Sequence, residues 1–109
     1  MDRRLVHDLA RLYILHRSAA APVGCDTLTQ DLRHHGVPID ARSVAQLLHA
    51  LCRKGYLKLA QHPASTSPKR TYTATGQGHD AVVGSRTKLR TLYATLSGKA
   101  PGAGPFSQP

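Results

Sequence analysis

Valine and leucine stand at 44, 47, 48 and 51, while Arg42, Gln46, His49 and Arg53 recur at the same rhythm on the other side. Steps of three and four residues put each set on one face of an α-helix. The spacing predicts a helix over 41–54, with Asp40 as its N-cap and Gly55 as its end. A helix over 3–17 follows from the same test, with Leu5, Leu9, Leu12 and Leu15 at helical spacing and Val6 and Tyr13 widening the face. Pro22 and Gly24 break it. Residues 26–35 give a short second helix, with Asp26 as its cap, Leu28 and Leu32 as its apolar pair and Gly36 as its stop. The connector at 37–39 is extended, because the residue before Pro38 is pushed away from helical angles.

Beyond Gly55 the rhythm shortens to alternation. Residues 56–62 read as a strand and 69–75, rich in β-formers, as its return. Between them, 63–68 holds two prolines and three hydroxyl residues and is a turn. Thr75 caps a last helix over 76–97, whose apolar positions are Val82, Val83, Leu89, Leu92, Tyr93 and Leu96. Gly76, Gly78 and Gly84 weaken its first half. Residues 98–109 are small, Pro-rich and Gly-rich, and are expected to be disordered. The fold class is α+β: mainly α, with one small antiparallel hairpin. One domain spans 1–97 and the tail 98–109. Helix, helix, turn, helix, hairpin, helix is the order of a winged helix-turn-helix.

Charge changes the picture more than composition does. Lys and Arg total 15 against 6 Asp, with no glutamate, for a net charge of +9 in 109 residues. So basic a small domain, with 40% apolar residues to build a core, points to a polyanionic partner. No apolar run approaches the roughly 18 residues of a membrane span, and Asp2 and Asp8 interrupt any signal-like region. The chain is expected to be soluble and cytoplasmic, associated with the nucleoid.

Residues 42, 46, 49 and 53 form one outward stripe with no acidic member. Arg can bond guanine bidentately and Gln adenine, while Ser43 and His49 can bond a base edge or a phosphate. Arg53 and Lys54, at the helix end, suit phosphates. On the hairpin, Lys58, Lys69 and Arg70 would grip the backbone or reach a minor groove. The same stripe on a protein-interaction module would be a solvated face, and a non-specific nucleic-acid binder would share the charge without a preferred sequence. Arg3, Arg4 and Arg11 in the first helix, with Arg86, Lys88 and Arg90 in the last, read as solvated faces flanking a dimer contact.

Catalysis has no support: there is no nucleophile elbow, phosphate loop or carboxylate pair. Cys25 and Cys52 form neither a C-x-x-C motif nor a disulfide framework, and Cys52 reads as a small core residue. His34 and His35 are adjacent, so a helix turns them about 100° apart, away from a shared ion. No cofactor or metal is indicated.

"LYILHRSAAAPVGCDTLTQDLRHHG", "ARSVAQLLHALCRKGYL" and "KRTYTATGQGHDAV", with Tyr72, Thr75 and Gly78 in the last, together resemble the PadR-like winged-helix regulators over about residues 5–96. The resemblance implies a two-fold dimer on double-stranded DNA, acting as a repressor, and a small apolar effector between the dimer halves. An independent physical reason favours dimerisation. Leu5, Leu9 and Leu12 in the first helix and Leu89, Leu92, Tyr93 and Leu96 in the last are more apolar surface than so small a domain can cover alone.

Overall fold

A computed structural model of the chain describes residues 2–61 and 70–98. Six elements follow one another: α1 (Arg3–Ala20), α2 (Cys25–His34), α3 (Ala41–Arg53), β1 (Leu57–Gln61), β2 (Arg70–Ala74) and α4 (Gly76–Leu96). This is the winged helix-turn-helix order that the sequence predicts. The expected turn at 63–68 and the expected disorder beyond residue 98 lie outside the described residues.

α1 runs three residues past the expected end at 17. Ala19 and Ala20 are strong helix formers, and the Ser18 hydroxyl donates to the Leu15 carbonyl at 3.0 Å. Termination waits for Pro22, which holds Ala21 extended. α1's buried face also differs from the leucine repeat. Val6, Ala10, Ile14, Leu15 and Ser18 are buried, whereas Leu5 and Leu9 face outward. Tyr13, read as apolar width, instead ties α1 to α2. Its hydroxyl donates to Asp31 Oδ2 at 2.9 Å, and Arg17 donates to the same oxygen at 2.8 Å. Burial and then the Asp31 carboxylate push the Tyr13 phenol up.

α2 begins one residue earlier than expected, and its N-cap is Gly24, not Asp26. The reason is tertiary. Val23 exchanges two backbone hydrogen bonds with Tyr72, at 3.0 and 2.8 Å, which fixes the chain in an extended state up to Gly24. Asp26 lands in the first turn, where its charge favours the helix N-terminus.

α3 starts where its cap predicts. The Ser43 N–H donates to Asp40 Oδ1 at 2.8 Å. That bond holds the Asp40 carboxyl below its usual range. Lys54 is the C-cap, one residue inside the expected end, and Gly55 follows at φ +86, the left-handed angle that stops the helix. β1 and β2 pair antiparallel, Leu57 opposite Ala74 through Gln61 opposite Arg70. Each strand is one residue shorter at its helix end than the alternation suggests, because Tyr56 serves the bend after α3 and Thr75 caps α4; positions 62 and 69 lie outside the described residues.

The core gathers Ile14, Leu28, Leu32, Val44, Leu48, Leu51, Leu57 and Val82 from every helix and the hairpin base. Cys25 and Cys52 pack half-buried against it as free thiols, both pushed up by burial. α4 is continuous through its glycines. Thr75 accepts from the Gly78 N–H at 3.1 Å and donates to the Gly55 carbonyl at 2.6 Å, so the start of α4 is fastened to the end of α3. Among the described residues no helix is long and apolar enough to cross a membrane.

Candidate nucleic-acid interface

α3 lies with Val44, Leu47, Leu48 and Leu51 against the core, so its opposite face is left open. Arg42, Gln46, His49 and Arg53 are all exposed there, with Ala41 and Ala45 as small neighbours. At 1.5 Å rise per residue the four span roughly 16 Å. Ser43 sits at the border of this stripe, half-buried in a cleft against α1. Its N–H donates to Asp40, and its hydroxyl also bonds that carboxylate.

Lys54 is exposed at the C-cap, and its carbonyl accepts from Gln77 Nε2 at 3.3 Å. Gln77 and Thr75 therefore orient the end of the stripe from α4. The sequence reading gave Gln77 no role and used Thr75 as a cap and, with Gly78, in the family resemblance. The compact Thr-x-x-Gly spacing was the available signal, since Gly78 has no room for a Cβ: one would collide with the Tyr56 carbonyl oxygen.

The hairpin separates two residues that the sequence grouped together. Lys58 pairs with Thr73, and Arg70 with Gln61. Side chains alternate along a strand and directly opposed residues share a face. Lys58 thus lies on the face opposite to Leu57 and Ala74, while Arg70 lies on theirs, toward the tip. Both are exposed, but they do not act on one phosphate from one side. Lys69 lies outside the described residues. None of Arg42, Arg53, Lys54, Lys58 and Arg70 makes an ion pair with another described residue; the two ion pairs among these residues are Arg11–Asp8 and Arg17–Asp31.

A second exposed surface is apolar. Leu5 and Leu9 on α1, and Leu89, Leu92, Tyr93 and Leu96 on α4, are exposed, with exposure rising along α4 from 44% at Leu89 to 77% at Leu96. Leu12 is half-buried and lines the groove between the helices with Leu9, Tyr13, His16, Val82, Ser85, Arg86 and Leu89, a space of about 390 Å³. Among the described residues no three His, Cys, Asp or Glu side chains converge as metal ligands.

No protein-family model matches the sequence. The chain is 34% identical over 88 residues to "Transcriptional regulator Rv3488" of Mycobacterium tuberculosis, covering 81% of this chain and 82% of that protein. Its fold is similar to the PadR-like transcriptional regulator of Bacillus cereus, with a TM-score of 0.76 at 16% identity over 86% of this chain and 93% of the other. The PadR-family regulator of Eggerthella lenta gives 0.70 at 20% identity over 86% and 83%. Bacillus subtilis PadR, in complex with operator DNA, gives 0.61 at 13% identity, matching 82% of this chain and 60% of that one. These relatives are regulators and not enzymes. With the helix order, the hairpin and the Thr75–Gly78 junction already in place, the chain belongs to the PadR-like winged-helix transcriptional regulators.

Proposed function

We propose that the protein is a homodimeric, sequence-specific DNA-binding repressor. The observation that carries this reading is the open face of α3, where Arg42, Gln46, His49 and Arg53 stand exposed, free of acidic neighbours on the stripe, above a fully buried apolar face. A helix so mounted enters a major groove with its N-terminal half at the base edges. Arg42, Ser43, Gln46 and His49 read bases, and Arg53 and Lys54 hold phosphates. Lys58, Lys69 and Arg70 bring the wing to the backbone or the minor groove. The operator complex of the Bacillus subtilis relative supports this use of the fold.

Dimerisation follows from the exposed leucines of α1 and α4, a second copy being the partner that a self-complementary apolar stripe fits. Two copies of α3 then meet successive major grooves about 34 Å apart. A small apolar effector would sit in the α1–α4 groove, where Leu9, Leu12, Val82 and Leu89 make up half of the lining beside Tyr13, His16, Ser85 and Arg86. Selection from a random duplex pool at about 150 mM salt tests the reading, because screening there removes most non-specific binding. An enriched inverted repeat is expected. Folded protein that enriches nothing would leave an interaction module or a sequence-blind binder.

A further inference from the structure

The first turn of α1 packs beside the first turn of α3. Arg3, Val6 and His7 line one cleft of about 270 Å³ together with Pro38, Ile39, Asp40 and Ser43. Val6 and Ile39 are buried and join the two starts through the core. Arg3, Arg4, His7 and Arg11 continue outward from that cleft around a shallow depression with Asp2. The sequence places these arginines on a solvated flank of a dimer contact. The fold puts Arg3 instead at the end of α3 that faces the bases.

The carboxylates nearby do not cancel this charge. Asp8 is paired with Arg11, at 2.7 Å, and Asp40, which keeps its charge, has Arg42 as the cation beside it. Asp2 stands at the α1 N-cap without a cap hydrogen bond, and the two guanidinium groups of Arg3 and Arg4 outnumber it. Arg3 and Arg4 are exposed and make no ion pair with another described residue. A duplex whose major groove receives the start of α3 carries a phosphate strand along that groove's edge, within reach of side chains that flank the helix start.

We infer that Arg3 and Arg4, at the start of α1, form a second phosphate clamp that grips the DNA backbone beside the N-terminal end of α3. The inference rests on the proposed placement of α3 in the groove. The clamp is sequence-blind: it holds the backbone beside α3 and leaves the reading to Arg42 and Gln46.

The test measures affinity of the full chain for its selected duplex and for a scrambled one, by fluorescence anisotropy between about 50 and 200 mM salt. Each phosphate contact contributes roughly 0.9 to the slope of log affinity against log salt, so two contacts account for about a ten-fold change over that range. Arg3→Ala/Arg4→Ala is expected to flatten the slope by that amount on both duplexes, with the preference between them unchanged. Arg3→Lys/Arg4→Lys is expected to restore it, and Lys88→Ala/Arg90→Ala, the same loss of charge on α4, to alter it less. An unchanged slope in the first variant overturns the clamp, as does an equal fall in the α4 variant. Failure of the proposed function is read separately, from a wild type that does not distinguish the two duplexes.

Discussion

Arg42 and Arg53 occupy the same stripe of α3 eleven residues apart, yet the proposed docking on DNA gives them different chemistry. A guanidinium at the groove-facing end can match guanine bidentately, worth roughly 1–3 kcal/mol of discrimination, whereas one at the far end meets phosphate. Arg42→Ala should therefore flatten preference among related duplexes by that amount, and Arg53→Ala should weaken all of them alike. Competition binding over a panel of single-base variants distinguishes the two; equal loss on every duplex for Arg42→Ala would remove its base-reading role. Gly78 makes a sharper structural claim. Alanine inside a helix normally gains up to about 1 kcal/mol over glycine. Here the added methyl would collide with the Tyr56 carbonyl, and overpacking of this kind costs about 1–3 kcal/mol. Backbone is the obstacle, so the clash wins, and Gly78→Ala should lower the denaturation midpoint. Both arginines could be singled out from spacing alone. The collision at Gly78 could not, because Tyr56 approaches only when the chain end of α3 folds against α4.

The boundaries of α3 and α4 were legible because their caps are local. Asp40 and Thr75 each bond an N–H three residues on, a geometry that needs no other element. Thr75→Ala is expected to cost about 1 kcal/mol for the lost cap, and to loosen the end of α3 through the bond to Gly55. Asp40 adds a pH dependence. Hydrogen bonding to Ser43 lowers its folded-state pKa, so its contribution is fully present above the unfolded carboxylate value, near 3.9, and is lost as pH falls through the folded value. Asp40→Asn keeps the capping acceptor without the titration. Comparing urea midpoints of the two proteins from about pH 5 down to pH 2.5 should show the wild type losing its advantage in the acid limb; parallel curves would remove Asp40 from the acid response. α2 was misplaced for the opposite reason. Its start is set by the Val23–Tyr72 bridge, formed with a strand almost fifty residues away in the chain. The hairpin shows the same limit, since alternation gave strands but only the register placed Lys58 and Arg70 on opposite faces.

Across the molecule, the exposed apolar residues form a surface that a lone domain gains nothing by showing to water. Leu92 and Leu96, 54% and 77% exposed, stand on the distal half of α4. Leu92→Asp/Leu96→Asp should leave the domain folded, since neither side chain belongs to the core, and should shift the species in sedimentation from dimer to monomer. A single α3 then meets a single half-site, and affinity for the full site should fall by roughly 10²- to 10⁴-fold as the second, linked contact disappears. A variant that remains dimeric would assign those leucines elsewhere.

Periodicity, caps and charge are local properties, and they carried the element order and the exposed stripe on α3. They work because a helix face and a cap are decided within three or four residues. The tertiary structure decided the rest: that α1 buries Val6, Ala10, Ile14 and Leu15 and leaves Leu5 and Leu9 outside, that Tyr13 and Arg17 converge on Asp31, and that Arg3 lies beside the start of α3. Two apolar faces compete on α1, and which one is buried depends on the shape offered by α2, α3 and α4. That choice is made by packing between elements distant in the chain, and no spacing within α1 records it.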